Sequence, residues 1–468
     1  LTGEQVAALT HDIVWLENPT INDQQVLVPV LYLAQANNRL APSGALIAGN
    51  DVNLIAGKDL NNVGTLRATE NLLASAGNNL VNSGLIDAGN RLDLLTGNNL
   101  SNKAGGIIAG RDISLTATDG DLLNERTVTS HNSSNGYRTE RTDFVDNAAR
   151  IEAANNLSLQ AGRDVNSIGS LIKSGADTTI KAGRDVNLVA TEQRNSQVAG
   201  ALSRGDSTTQ YGSVIEAGRD FQIVAARDIS AIASQIDAAR DIVMAATGDL
   251  TLASAANEQH SSLNTKKVKT QDDQISQVST TVKAAGDVTL SAGQDLALIA
   301  SRVEAGGEAY LVAGGNLGLL AAQDSDYSLY DMKKKGGWGS KKTKRDEVTD
   351  IKNIGSEIKT GGDLILSSGG DQLYQGAKLD SGKDITLVSG GGITFEAVKD
   401  LRQESHEKSN NNAFWVSSKG KGNTDETVRQ TQMIAEGNIA IKAVDGLKID
   451  IRQVDQQTVS QSIEAMVK

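Results

Sequence analysis

Fifty-seven Asp and Glu residues but only four His bound the chemistry open to this 468-residue chain. Carboxylates converging on one groove, with a base or metal beside them, could cleave a polysaccharide. Many of the Asp residues instead recur in one phrase: small residue, Gly, any residue, Asp or Asn, aliphatic. It reads Ala-Gly-Lys-Asp-Leu at 56–60, Ala-Gly-Asn-Asn-Leu at 76–80, Ala-Gly-Arg-Asp-Ile at 109–113 and Ala-Gly-Arg-Asp-Val at 182–186. Ala-Gly-Arg-Asp-Phe at 217–221 and Thr-Gly-Gly-Asp-Leu at 360–364 continue it. Carboxylates placed by a repeat predict a structural ladder, so no catalytic group is assigned. Gly361-Gly362-Asp363 and Gly369-Gly370-Asp371 are only fragments of a calcium-binding nonapeptide. Of His11, His131, His260 and His406, none has a metal-ligand neighbour at suitable spacing. They read as exposed loop residues; no metal and no cofactor is expected.

One cluster does suggest binding chemistry. Residues 333–345, Lys-Lys-Lys-Gly-Gly-Trp-Gly-Ser-Lys-Lys-Thr-Lys-Arg, are strongly basic in a chain of net charge −12. Tyr327 and Tyr330 lie just before them. A basic tip bearing Trp suits lipid phosphates or lipopolysaccharide, with the ring at headgroup level. A solvated tip balanced by Asp324, Asp326, Asp331 and Asp346 is the plainer alternative. Phe414-Trp415-Val416, followed by Lys419 and Lys421, repeats the aromatic and basic mixture. The candidate membrane or lipopolysaccharide contact is therefore Lys333, Lys334, Lys335, Trp338, Lys341, Lys342, Lys344, Arg345, Phe414, Trp415, Lys419 and Lys421. Nucleic acid is not expected as a partner, because the basic residues of this acidic chain form no continuous stripe.

The elements that would hold these residues follow from the repeat. Gly57, Gly77 and Gly97 are twenty residues apart, and Gly162 and Gly183 twenty-one. Alternation within the repeat, as in Asp-Val-Asn-Leu-Ile at 51–55, means strands. A twenty-residue unit with two unequal arms and a Gly-Asp turn on each fits one coil of a parallel β-helix. In each turn Gly is expected to supply φ > 0, with Asp or Asn bonding nearby backbone N–H groups or stacking on its copy in the next coil. Aromatics at 3% imply a thin Ala, Val, Ile and Leu core, and Pro is confined to Pro19, Pro29 and Pro42. About 15–18 coils at ~4.8 Å would make a rod of roughly 70–90 Å. Polar stretches near 122–148, 191–213, 253–281, 321–356 and 398–432 interrupt the phrase. The pattern re-enters alike at Ile151, Ile215, Val282, Ile358 and Ile434, a super-repeat of two coils plus one insertion. Hairpins beside the helix are expected there. Residues 1–42 read as a lead-in and 43–468 as the rod, with Arg452–Ser462 resembling the start of a sixth insertion. No signal peptide or apolar span is visible, and the chain reads as a portion of a longer protein.

Leu1-Thr2-Gly3-Glu4-Gln5, Leu9-Thr10-His11-Asp12-Ile13-Val14-Trp15-Leu16, Val28-Pro29-Val30 and Tyr32-Leu33 resemble the segment before the second haemagglutinin-repeat region of large two-partner-secreted exoproteins. The Ala-Gly-Arg-Asp-Val-Asn-Leu copies resemble the repeats themselves. That family includes filamentous haemagglutinins and the CdiA-type effectors of contact-dependent growth inhibition. The resemblance implies a right-handed parallel β-helix in a Gram-negative cell-surface protein. It also implies export through an outer-membrane transporter, and a target-cell outer membrane or surface receptor as partner during delivery of a C-terminal toxin. A passive adhesin stalk is the alternative. Neither role is enzymatic in this region. The absence of Cys suits a chain that crosses an oxidising periplasm unfolded.

Overall fold

Alternating apolar residues bury one edge of each short strand and leave the other in solvent. In Leu157-Ser158-Leu159-Gln160-Ala161 the Leu and Ala side chains are buried, while Ser158 and Gln160 are exposed. Such strands stack in parallel register, Leu159 on Leu115 and Ile180 on Leu159, so one coil supplies half the core that the next coil covers. The computed structural model describes residues 45–335, 340–412 and 415–450, with the backbone of short strands at Ile13–Glu17, Thr20–Ile21, Gln24–Gln25 and Val28–Tyr32. Ile13–Glu17 pairs antiparallel with Val28–Tyr32 inside the lead-in. Trp338, Phe414 and Arg452–Ser462 lie outside the described residues.

Each coil carries three strands rather than the two arms expected. Leu171–Ser174, Thr178–Ala182 and Val186–Val189 make one coil, and each continues a parallel ladder along the rod. We call the three ladders the first, second and third faces. In two coils the first two faces fuse, where Leu85–Thr96 and Ile107–Ala117 run unbroken through the corner. The third face holds thirteen strands, from Leu60–Asn62 to Gly446–Asp450. Thirteen described coils at ~4.8 Å span about 60 Å, shorter than the expected rod. The fold is a right-handed parallel β-helix.

The glycines of the turn phrase serve proximity, not left-handed backbone. Gly57, Gly77, Gly97, Gly183 and Gly314 are absent from the positive-φ positions. A Cβ at Gly77 would sit 2.4 Å from the Gly57 carbonyl oxygen, and one at Gly314 2.1 Å from that of Gly293. Successive coils close to strand spacing at these corners, and a side chain would hold them apart.

The residue two places on satisfies the backbone it exposes. The Oδ1 of Asp121 accepts the Asp164 N–H at 3.1 Å, Asp164 accepts the Asp185 N–H, and Asp185 accepts the Asp228 N–H. A second column, at the corner between the first and second faces, runs from Asp177 to Asp220 to Asp241. The guanidiniums of Arg163, Arg184, Arg219, Arg227 and Arg240 grip the carboxylate one coil back through both oxygens, as Arg163 does on Asp121 at 3.1 and 2.8 Å, whereas Arg111 meets Asn90 instead. These guanidiniums, opposed by burial and helped by the backbone donors, hold Asp164, Asp177 and Asp220 below the usual carboxylate range.

The third corner follows other rules. Near the N-terminal end a buried Asn62–Asn82–Asn102–Asn124 ladder runs at 2.8–2.9 Å per step. Further on, Ser213, Ser234, Thr280 and Ser356 take its place, each hydroxyl donating to a carbonyl of the third face, as Ser234 does to Leu188 at 2.9 Å. Positive φ belongs here: Gly169, Ala233, Ala300 and Gly376 each open a two-residue turn from the third face to the first.

Replacing Gly314 by Ala should therefore cost about 1–3 kcal/mol, read as a lower unfolding midpoint. Gly420→Ala, with open space around its Cβ, should change stability by less than about 0.5 kcal/mol.

Candidate functional site

The five polar stretches become five antiparallel hairpins, and together they build one sheet. Their strands are Val128–Ser134 with Arg138–Val145, Thr191–Ala199 with Ser203–Tyr211, and Ala255–Asn264 with Val268–Val278. Ala322–Lys335 with Lys341–Ile354 and Val398–Asn412 with Trp415–Arg429 complete the set. All five leave from the third corner, after Leu122–Glu125, Val186–Val189, Leu250–Ala253, Leu317–Leu320 and Gly392–Glu396. Leu122–Glu125, inside the first polar stretch, thus belongs to the rod. Between consecutive exits lies one coil without a hairpin, closed by the short turn at Gly169, Ala233, Ala300 or Gly376.

Neighbouring hairpins pair along this ten-stranded fin. Arg138–Arg141 lies against Ser196–Ala199, and Ser203–Thr208 against Glu258–Leu263. Val268–Ile275 meets Ser325–Met332, and Lys341–Ile351 meets Leu401–Asn411. The strands lengthen from 7 to 15 residues between the first hairpin and the fifth.

A repeated polar staple closes the root, where the strands of adjacent hairpins diverge into their coils. The N–H groups of Gln210, Gln277 and Asn353 donate to the side chains of Asn257, Asp324 and Asp400 at 2.6–2.7 Å. The amide side chains of the same three residues donate to the carbonyls of Ala256, Gln323 and Lys399. Sequence reading missed these residues. Their signal is an Asn or Asp as third residue of a hairpin, at 257, 324 and 400. Asp324, read as a counter-charge for the basic tip, is one of them and lies at the opposite end of its hairpin.

Three histidines, His131, His260 and His406, sit within fin strands rather than loops. His260 lies between Asp206 and Asp273 on the flanking strands, with its Nδ1 3.0 Å from Asp273. Burial works against the charged ring, but Asp273, Asp206 and Glu258 together raise its pKa. His406 Nδ1 lies 2.9 Å from Asp346. Among the described residues no His, Asp and Glu group has the geometry of a metal site.

The fin unites the two basic segments named from sequence, because the fourth and fifth hairpins are neighbours. Lys333, Lys334 and Lys335 end one strand and Lys341, Lys342, Lys344 and Arg345 begin the next. Lys419 and Lys421 occupy the outer strand of the fifth hairpin. Trp415 opens that strand, whereas Trp338 and Phe414 lie outside the described residues. Lys344 pairs with Asp346 at 2.5 Å and stands 5.5 Å over the Tyr330 ring. Arg345 pairs with Glu347 at 2.9 Å and Lys333 with Asp331 at 3.8 Å.

The sequence that folds into this rod and fin is made of haemagglutinin repeats. The haemagglutinin repeat matches residues 127–205, 200–269, 260–337 and 336–418, and a related haemagglutinin repeat matches 31–94 and 74–136. The chain belongs to this family, the repeat region of filamentous haemagglutinin- and CdiA-type exoproteins, and forms an adhesin-like stalk. It is 34% identical over 446 residues to the deoxyribonuclease CdiA of Dickeya dadantii, covering 92% of this chain and 13% of that protein. It is 31% identical over 397 residues to the 16S rRNA endonuclease CdiA of Enterobacter cloacae, covering 79% of this chain and 12% of that one. A tRNA nuclease CdiA of Escherichia coli is 30% identical over 307 residues, 64% of this chain and 9% of the relative. The chain thus spans about an eighth of the length of the first two. No solved structure matches it.

Removing one staple, by Gln277→Ala with Asp324→Ala, should speed amide exchange in Val268–Val278 and Ala322–Lys335 about tenfold while rod amides keep their protection. His260 should titrate above the ordinary value of about 6.5, and Asp273→Asn should lower it, both read by NMR. A raised folded-state pKa stabilises fully below the unfolded value and fades as pH rises through the folded one. Exchange in Ala255–Asn264 should therefore be slower relative to its intrinsic rate near pH 5.5 than near pH 8.

Proposed function

We propose that this chain is the non-catalytic repeat region of a Gram-negative cell-surface exoprotein, engaging the outer membrane of a target cell while a C-terminal toxin is delivered. Residues 1–42 lead into the rod, which occupies 43–468, and export uses the outer-membrane transporter of a two-partner system. The relatives named as nucleases support the toxin context: each shares with this chain only 9–13% of its length, in a stretch that the haemagglutinin repeats largely cover here. The observation that carries the reading is the fin. A stalk needs only the rod, yet from Leu122–Glu125 onward every second coil carries a hairpin, with strands of up to 15 residues, that adds nothing to the rod's core. A passive stalk of a filamentous haemagglutinin-like adhesin is the second reading, favoured by the uninterrupted ladders.

The test compares the whole chain with a variant whose fourth and fifth hairpins are each replaced by the Ala233-Ser234 turn that closes hairpin-free coils. Purified outer-membrane vesicles should bind the chain and not the variant, with both showing a β-rich circular dichroism spectrum. Equal binding by the two, or none by either, would leave the passive stalk as the better description.

A further inference from the structure

The fin's outer rim slopes away from the rod. The strands of the fifth hairpin have 15 residues each against 7 and 8 in the first, which adds about 25 Å at ~3.4 Å per residue. A flat surface approaching the rim therefore meets the tips of the fourth and fifth hairpins first, and charge is concentrated there. Opposite residues of an antiparallel pair share a face, and alternate residues along a strand return to it. By that register Lys334 and Lys342, paired across the fourth hairpin, share a face with Lys344. Lys344 stands opposite Lys408, which stands opposite Lys419, and Lys421 follows on the same side.

Like charges set directly opposite weaken a sheet. The rod's first face does the reverse, stacking Arg67 on Asp87, Lys173 on Glu216 and Lys283 on Glu304. Of the six rim lysines, Lys344 alone has a carboxylate partner among the described residues. Lys334, Lys342, Lys408, Lys419 and Lys421 have none there, although the chain is acidic overall.

We propose that this rim is a docking surface for closely spaced phosphates, those of lipopolysaccharide in a bacterial outer leaflet. The proposal rests on the outer-membrane reading above and adds the site, its ligand chemistry and an orientation. The rod lies beside the membrane, and the two longest hairpins touch it tip-first. Flexible lysine stems carry the ammonium groups to phosphates of varied position, and the attraction fades with salt.

Vesicles of phosphatidylcholine alone, with lipopolysaccharide, or with phosphatidylglycerol would be sedimented with the intact chain at about 50 and about 300 mM salt. Lys334→Gln, Lys342→Gln, Lys408→Gln and Lys419→Gln would be combined in one variant. Lys173→Gln, Lys181→Gln, Lys283→Gln and Lys359→Gln on the rod would make a control with the same loss of charge, and melting curves would confirm both folds. The expected result is binding to lipopolysaccharide vesicles that falls at least tenfold in the rim variant and at high salt, and less than twofold in the control. Wild-type binding that survives the rim substitutions would overturn the site while leaving outer-membrane engagement standing. Equal binding to phosphatidylglycerol vesicles would overturn lipopolysaccharide as the ligand. Binding to outer-membrane vesicles but to none of the three lipid preparations would overturn phosphate docking and point to a protein receptor. No binding to either would remove the outer-membrane reading itself.

Discussion

Everything in this molecule depends on one spacing, the ~4.8 Å between hydrogen-bonded strands. Coils stack at that interval along the rod, and the strands of the fin sit side by side at the same interval. A hairpin is two strands wide, so it fills the rise of two coils. Hairpins on every coil would collide, and hairpins on every third coil would leave a gap that no pairing closes. One exit per two coils is the arrangement in which rod and fin both keep full hydrogen bonding, and the exits from Leu122–Glu125 to Gly392–Glu396 obey it. The super-repeat marked by Ile151, Ile215, Val282, Ile358 and Ile434 is this geometric match written along the chain.

The corners enforce the spacing. At two of them Gly lets backbones approach to strand distance, while Asp or Asn receives the N–H of its successor. At the third, Gly212 and Gly355 bring backbones just as close, and the chain either turns in two residues through Gly169 or Ala233 or departs on a hairpin and returns. Buried amides or hydroxyls fill this corner beneath either solution, which lets turn and hairpin alternate without disturbing the core.

The coil period, the strand alternation and the two-coil super-repeat were legible in the sequence because each is carried by local residue types. The number of strands per coil was not. The third strand, as in Val165–Ile168, ends at a corner with no Gly-Asp phrase, so counting phrases finds two corners where there are three. The phrase also misled about its own glycine, since a residue that avoids a clash with the next coil reads the same as one that adopts positive φ. In the fin, the individual lysines were visible from composition. What no local reading could supply was that Lys408 falls between Lys344 and Lys419, a relation set by pairing between hairpins that two coils separate in the chain. The same holds for Gln277 and Asp324, whose meaning appears only where two hairpins part.

The alternation of turn and hairpin gives the rod a parity. Within the stretch from Leu122–Glu125 to Gly392–Glu396, a duplication or deletion of one coil would shift every later exit by half a super-repeat and split the fin into two sheets with raw edges at the break. Two coils with their hairpin are the smallest unit that can be gained or lost with the sheet intact. Proteins of this kind should therefore differ in the length of their hairpin-bearing stretch by whole steps of that unit, and the fin, though it contributes nothing to the core of the rod, sets the increment in which that stretch can grow.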